Sequence, residues 1–193
     1  MSNSKIYDQL SKKDKEVLDS VFNPYQIGGE VGPIGIFNAE ITDDIIDPIE
    51  ENTPEIEKSK TLEIEAVKLA EDGKIDKSLE LFNNAIEYGS QRPTLYNNRA
   101  QSYRLKGDDK SAFNDLNKAI QLSSDFNYKR TACLAYCQRG ILHRKYKNID
   151  EARHDFEEAA KLGSKFAKTQ LVEINPYAAL CNQMLREAFQ KLS

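Results

Sequence analysis

The sequence predicts an all-α solenoid made of three helix-turn-helix units, and three observations carry this prediction. Apolar residues recur at helical spacing after Lys58. The turn glycines Gly73 and Gly107 are 34 residues apart. Two similar helix starts, YNNRA at 96–100 and YCQRG at 136–140, are 40 residues apart, and each precedes a polar turn and a second amphipathic run.

The spacing of the two glycines equals the period of tetratricopeptide repeats. Six further residues around 127–132 are expected to lengthen the helices near the third repeat. Aligning the units places small residues where the two helices of a repeat cross, because helices approach closely only over a small side chain. The aligned positions are Ala66, Ala100 and Gly140 on the first helices, and Ser78, Ala112, Ala152, Phe82, Leu116, Phe156, Ala85, Ala119 and Ala159 on the second.

The repeats divide the chain into two predicted parts. Residues 1–57 form a short helix followed by an acidic linker, and residues 58–193 form the repeat domain. A C-terminal capping helix is expected because a solenoid needs an end that covers its last apolar face. The expected bounds are about 59–92, 93–132 and 133–164 for the repeats and 165–193 for the cap.

Charge is distributed unevenly along the chain. Residues 16–57 contain eleven acids and no Lys, Arg or His, so the rest of a chain with net charge −4 carries +7. Residues 38–57, called the acidic arm, contain prolines and scattered isoleucines, which predicts little regular structure. Two interpretations remain open. The arm is a solvated linker, or its isoleucines and acids dock on the basic body beside Arg104 and Arg144.

Composition excludes several classes of protein. Hydrophobic residues make up 39% and charged residues 30%, with a mean hydropathy of −0.65, so a soluble protein without a membrane partner is expected. No apolar stretch resembles a secretory signal, and three cysteines, an odd number, indicate free thiols in a reducing compartment. A cytoplasmic location is therefore expected. No basic stripe with a supporting motif indicates a nucleic-acid partner.

The candidate binding residues lie on the first helices, which line an extended concave surface in stacked repeats. A side-chain amide suits this surface because it both donates and accepts hydrogen bonds with a peptide backbone. Asn98 is open to two interpretations, a peptide contact and a merely solvated side chain. The predicted groove residues are Asn97, Asn98, Gln101, Arg104, Gln138 and Arg144.

Cys133 and Cys137 are four residues apart, with His143 and His154 nearby in sequence. A zinc site needs about four ligands, whereas two cysteines at this separation are typical of a packed core. His143 falls at a core position of the third repeat and His154 on a charged helix face. No catalytic residue, metal or cofactor is predicted, since no triad spacing or phosphate loop is present. The alternative is a small metal-dependent or metabolic enzyme that uses these histidines and cysteines.

Four short segments are distinctive by sequence and position. FNP at 22–24 follows the predicted N-terminal helix, YNNRAQ at 96–101 opens the second repeat, and QRG at 138–140 lies in the first helix of the third. NPYAALCN at 175–182 follows the third repeat and precedes Met184 and Leu185. Together they resemble the tetratricopeptide repeat protein 36 family over nearly all of residues 14–190. The resemblance implies no catalytic activity and a role as a protein-binding adaptor or co-chaperone-like regulator. It also implies Hsp70 association and a role in tyrosine metabolism, with Hsp70 or a metabolic enzyme as the partner.

Co-chaperones with this repeat often bind a C-terminal carboxylate through a clamp of Lys, Asn, Asn, Lys and Arg. Only Asn98 matches that pattern, so the cations that capture a carboxylate are missing. Hsp70 association would therefore need another geometry. The corresponding positions here are Glu63, Val67, Asn98, Leu134 and Gln138.

Overall fold

The computed structural model describes Ile41, residues 45–175 and five helical positions beyond them, Tyr177, Leu180, Cys181, Met184 and Glu187. The predicted N-terminal helix and residues 38–40 and 42–44 of the acidic arm lie outside the described residues. The chain divides into two compact units, Pro33–Gln170 and a second unit formed by Met1–Gly32 with Leu171–Ser193. The predicted domain division at residue 57 stays a prediction.

Residues 45–175 contain seven α-helices, and the described residues contain no strand beyond an isolated bridge between Ile41 and Ser164. Three helix pairs, α1/α2, α3/α4 and α5/α6, pack as units, and α2 packs on α3 as α4 packs on α5. The predicted solenoid of three helix-turn-helix units with a C-terminal helix is confirmed. The helices are α1 Pro54–Glu71, α2 Ile75–Tyr88, α3 Pro93–Lys106, α4 Asp109–Phe126, α5 Lys129–Lys145, α6 Ile149–Lys161 and α7 Lys165–Glu173.

Two helices begin earlier than the sequence predicts. Helix α1 starts at Pro54 because the Thr53 hydroxyl accepts a hydrogen bond from the Ile56 N–H at 3.3 Å and proline suits the first turn. Helix α5 starts at Lys129. The six further residues lengthen the helices as predicted, since α4 has 18 residues against 14 in α2, and α5 has 17 against 14 in α3.

The predicted small positions lie at the helix crossings. Ala66 and Ala100 are fully buried. At Gly140 an added Cβ would stand 2.7 Å from Cε1 of Phe156, so no larger residue fits without moving that ring. Phe156 itself is fully buried, as are its counterparts Phe82 and Leu116. The core is therefore built by the same pairing of small and large residues in each repeat.

The two glycines that revealed the period end first helices or follow them closely. Gly73 has a φ of 75° and Gly107 a φ of 85°, in the left-handed region that glycine adopts without strain. No helix in the described part is long and apolar enough to cross a membrane.

Candidate peptide-binding face

The first helices of the three repeats lie side by side, because α3 contacts both α1 and α5. The sequence predicts the binding residues on these helices. We use the name first-helix face for the polar surface formed by Glu63 on α1, Asn97, Asn98, Gln101 and Arg104 on α3, and Gln138 on α5.

Hydrogen bonds join the side chains of the first-helix face across all three helices. Asn98 Nδ2 donates to Glu63 Oε1 at 2.9 Å, which joins α3 to α1. Asn97 Nδ2 donates to Asn98 Oδ1 at 3.4 Å. Gln138 Nε2 donates to Asn97 Oδ1 at 3.0 Å, which joins α5 to α3. The amides that the sequence singles out therefore form one continuous row.

Arg104 extends this row toward the end of α3. Its Nη1 donates to Gln101 Oε1 at 2.8 Å and to Gln138 Oε1 at 3.2 Å. Burial lowers the pKa of the Arg104 guanidinium below its ordinary value, and the charge of Asp109 opposes that effect. Gln101 Nε2 is buried without a hydrogen-bond partner among the described residues. A donor of this kind is a weak point in the packing of the face.

The six predicted residues do not all play the same part. Asn97, Gln101 and Gln138 are buried and form the floor of the face, whereas Asn98 and Arg104 are partly exposed. Arg144 stands apart from this row, because its Nη1 donates to Gln170 on α7.

Arg92, in the turn before α3, is a central residue that sequence reasoning missed. Its side chain is 7% exposed and donates to Glu50 Oε1 at 2.9 Å, Ser59 Oγ at 3.0 Å and Glu63 Oε2 at 2.6 Å. Burial lowers the pKa of Arg92, but the charges and hydrogen bonds of Glu63 and Glu50 outweigh burial and raise it overall. An arginine in a turn carries no sequence signal for this role, because its partners are 29 to 42 positions away.

The described part of the acidic arm is docked on the repeats. Asp47 Oδ1 accepts a hydrogen bond from the Arg130 N–H at 2.8 Å, and its Oδ2 accepts one from the Thr131 hydroxyl at 2.5 Å. The residue at the N-cap of α5, Tyr128, forms no side-chain cap hydrogen bond. Asp47 therefore caps α5 from a distant part of the sequence.

Glu50, three residues after Asp47, also anchors the arm. Its Oε1 accepts from Arg92 Nε at 2.9 Å and from the Tyr128 hydroxyl at 3.3 Å, and its Oε2 lies 3.1 Å from Lys60 Nζ. Burial raises the pKa of Glu50, but the hydrogen bonds and charges of Arg92 and Lys60 hold it below the ordinary 4.5.

The position of the docked arm differs from the predicted one. The described acids contact Lys60, Arg92 and the start of α5, not Arg104 and Arg144. Ile46 and Ile49 are 73% and 101% exposed, so the carboxylates hold residues 47–50 in place, whereas the predicted anchor Ile41 is buried and forms an isolated bridge with Ser164. The reason is that Arg104 is already bonded to glutamines, whereas the start of α5 lacks an acceptor of its own.

At one clamp position the charge is opposite to that of a carboxylate-binding clamp. Glu63 stands where a clamp has a lysine, and its carboxylate already accepts from Asn98 and Arg92. An incoming carboxylate at this point would meet a buried negative charge.

The cysteines and histidines of the alternative enzyme interpretation do not form a common site. Cys133 Sγ donates to the Ala159 carbonyl at 3.4 Å, and Cys137 Sγ lies 3.3 Å from Ser164 Oγ. His143 packs against the Phe113 ring at 5.0 Å, while His154 is exposed on α6. Within the part of the chain that the structure describes, no three metal-ligating side chains come together.

A second polar arrangement, also missed by sequence reasoning, recurs between repeats. Arg99 on α3 binds Asp115 on α4 through two hydrogen bonds of 2.7 Å and donates to Asn83 on α2 at 2.7 Å. In the next repeat Arg139 binds Asp155 in the same two-bond manner and donates to Asn117. We call each set of three side chains a repeat clasp. The detectable signal is the spacing of 40 between the two arginines and between the two aspartates.

Comparisons with known proteins agree with this architecture. A tetratricopeptide repeat family model matches residues 93–126. The first TPR of Spaghetti (RPAP3) bound to the HSP90 peptide SRMEEVD superimposes with a TM-score of 0.56 at 24% identity, over 64% of this chain and 97% of that chain. The second TPR domain of human RPAP3, in complex with the HSP70 peptide SGPTIEEVD, gives 0.51 at 24% identity over 62% and 94%.

The curated relatives extend over almost the whole sequence. The tetratricopeptide repeat protein 36 homolog of Drosophila melanogaster is 50% identical over 184 residues, which is 95% of this chain and 96% of the relative. Human tetratricopeptide repeat protein 36 is 42% identical over 181 residues, 93% of this chain and 94% of the relative. The chain therefore belongs to the tetratricopeptide repeat protein 36 family.

Proposed function

We propose that this protein is a non-catalytic adaptor that binds an extended segment of a partner protein on its first-helix face. The observation that carries the proposal is the continuous row of hydrogen-bonded amides on α3 and α5, which the Glu63 carboxylate joins to α1. Buried Asn97 and Gln138 fix the positions of their neighbours, so Asn98 and Arg104 are held in place before a partner arrives. Groups fixed in advance lose less conformational freedom on binding, which favours affinity.

A chaperone of the Hsp70 class is the proposed partner, with a metabolic enzyme of tyrosine breakdown as the other candidate. The resemblance to the family supports both, and solved relatives in fold carry HSP90 and HSP70 peptides. Binding would not use the carboxylate clamp, because Glu63 occupies a position that the clamp reserves for a cation. We propose a cytoplasmic location for this activity.

Affinity capture with full-length protein tests the proposal, followed by titration calorimetry with each partner identified. The double variant Asn98→Ala with Arg104→Ala removes the exposed polar groups of the face. We expect it to bind at least tenfold more weakly, because a hydrogen bond to a charged group contributes about 1.5–3 kcal/mol. Lys118→Ala, on the exposed side of α4, is the matched control and should bind as the wild type does. Undiminished binding by a folded double variant would place the partner elsewhere.

A further inference from the structure

We propose that the docked arm occupies a recognition site for an acidic segment of a partner protein, with two carboxylates three residues apart. We call it the dual-acid site. It consists of the start of α5, which holds Asp47, and a cationic pocket of Arg92, Lys60 and Tyr128, which holds Glu50. This inference rests on the proposed function and names the chemistry of the segment that the protein binds.

The first pocket is a complete carboxylate site. Both oxygens of Asp47 are used: Oδ1 accepts from the backbone N–H groups of Arg130 at 2.8 Å and Thr131 at 3.2 Å, and Oδ2 accepts from the Thr131 hydroxyl at 2.5 Å. The positive end of the helix dipole adds to these hydrogen bonds.

The second pocket favours a carboxylate beside its two cations. Arg92 and Lys60 contribute two positive charges, and Glu63 neutralises one of them through its 2.6 Å contact with Arg92. Without Glu50, the buried Arg92 would keep Glu63 as its charged partner, and Lys60, whose side chain is 39% exposed, would lose its ion pair. A second carboxylate, from the arm or from a partner, restores neutrality. The Tyr128 hydroxyl provides a further donor at 3.3 Å.

The residues between the two acids leave room for another sequence. Pro48 and Ile49 between the acids are exposed, as is Ile46 before them, so the repeats select the separation of the two carboxylates and not these three side chains. An extended segment with acids at the same separation therefore satisfies the same donors.

The dual-acid site is also continuous with the first-helix face. Glu63 accepts from both Arg92 and Asn98, so it belongs to the pocket and to the amide row at once. A partner segment that lies along the amides would bring its next residues to Arg92. The arm, which is part of the same chain, has a high effective concentration and must be displaced first.

A peptide with the sequence of residues 45–52, labelled with a fluorophore, probes the site by anisotropy. The hosts are full-length wild type and the full-length double variant Asp47→Asn with Glu50→Gln, whose own arm lacks both charges. We expect the peptide to bind the variant at least tenfold more tightly than the wild type, because the tethered competitor is weakened. A peptide carrying Asn and Gln in place of the two acids should bind neither host.

Three results would overturn the inference, and the first two are equal affinity of the peptide for both hosts and equal binding of the neutral peptide. A third is concentration-dependent dimerisation of the wild type, seen by sedimentation and lost in the variant, since the occupant would then be the arm of a second copy. Thermal melting by circular dichroism checks the fold of the double variant. If it does not fold, Glu50→Gln alone keeps the Asp47 cap and should still bind the peptide more tightly than the wild type.

The outcome can be separated from that of the proposed function. Suppose that the double variant Asn98→Ala with Arg104→Ala abolishes partner binding while the labelled peptide binds both hosts with equal affinity. In that case the adaptor function stands and the dual-acid site does not.

Discussion

At the scale of single residues, buried charges do most to position the candidate site. Arg92 is nearly enclosed, yet it is matched by Glu50 and Glu63, so its burial leaves no unpaired charge. The pKa of Glu50 is held below 4.5, which keeps its carboxylate charged at neutral pH. The stability that this depressed pKa contributes is complete above 4.5 and is lost as the pH falls through the lower, folded-state value.

Tyr128 gives a spectroscopic test of this pocket. Burial first, and then the charge and hydrogen bond of Glu50, raise the pKa of Tyr128 from 10.0 to about 12. The difference in ultraviolet titration between wild type and Tyr128→Phe should therefore show a tyrosine that ionises well above pH 10. Glu50→Gln should lower that pKa, although burial still keeps it above the ordinary value.

The sign of the linked stability follows from the raised pKa of Tyr128. Its contribution is complete below pH 10 and is lost as the pH rises toward about 12. Ionisation of Tyr128 together with the exposed tyrosines would contradict the arrangement of the pocket.

Sequence reasoning identifies some of these residues and misses others for a physical reason. Asn97, Asn98 and Gln138 are predictable because they lie on first helices, where periodicity fixes which side of the helix faces the neighbouring first helix. Arg92, Asp47 and Glu50 lie in turns or in the arm, where no periodicity exists. Their pairing depends on three-dimensional proximity across as many as 84 residues, and only the structure shows it.

At the scale of secondary structure elements, the start of α5 shows how one helix depends on a distant segment. The N–H groups in the first turn of a helix lack intrahelical acceptors. Thr53 serves α1 from the adjacent position, and Asp108 serves α4 by accepting from the Ser111 N–H at 3.1 Å. Tyr128 offers no such acceptor to α5, so Asp47 provides it from the arm.

Asp47→Ala should therefore loosen the first turn of α5. We expect a loss of about 0.5–2 kcal/mol in the free energy of unfolding, the usual cost of a lost N-cap. Amide hydrogen exchange should accelerate at Arg130 and Thr131. Glu51→Ala is the matched control, because Glu51 is an exposed acid in the same part of the arm. Similar exchange rates in both variants would mean that Asp47 does not cap the helix in solution.

The bounds of the helices follow the same logic. Periodicity predicts the existence and pairing of α1 to α6, because each buries one apolar stripe. It predicts the start of α5 less well, since the cap that defines this start is remote in sequence. The lengthening of α4 and α5 is predictable from the offset of 40 residues between the second and third repeats.

At the scale of the whole molecule, the repeat clasps connect each unit to the one before it. Arg99 joins α2, α3 and α4, and Arg139 joins α4, α5 and α6. In repeat proteins the interfaces between units determine how cooperatively the array unfolds. The first repeat has Glu65 and Leu81 at the positions of Arg99 and Asp115, so it lacks this clasp, as expected of a terminal unit.

Arg139→Leu tests the second clasp. Asp155 is only 1% exposed, and the variant would leave its carboxylate buried, with His143 Nε2 3.8 Å away. We expect a loss of about 3–5 kcal/mol in the free energy of unfolding, measured in urea by circular dichroism. Arg153→Leu breaks the exposed pair with Asp150 and should cost less than about 1 kcal/mol. Equal losses in the two variants would show that the clasp adds no more than a surface ion pair.

Glu50 is close in sequence to α1, and this determines the order in which the carboxylates of the arm leave their pockets. Only residues 51–53 separate Glu50 from Pro54, so this end of the arm stays near its pocket whenever α1 is folded. Asp47 is farther from that fixed point and has more chain to move with. Between the two carboxylates, release should therefore begin at Asp47 and reach Glu50 last. An acidic segment of a partner should therefore bind first at the start of α5, in place of Asp47, and then replace Glu50.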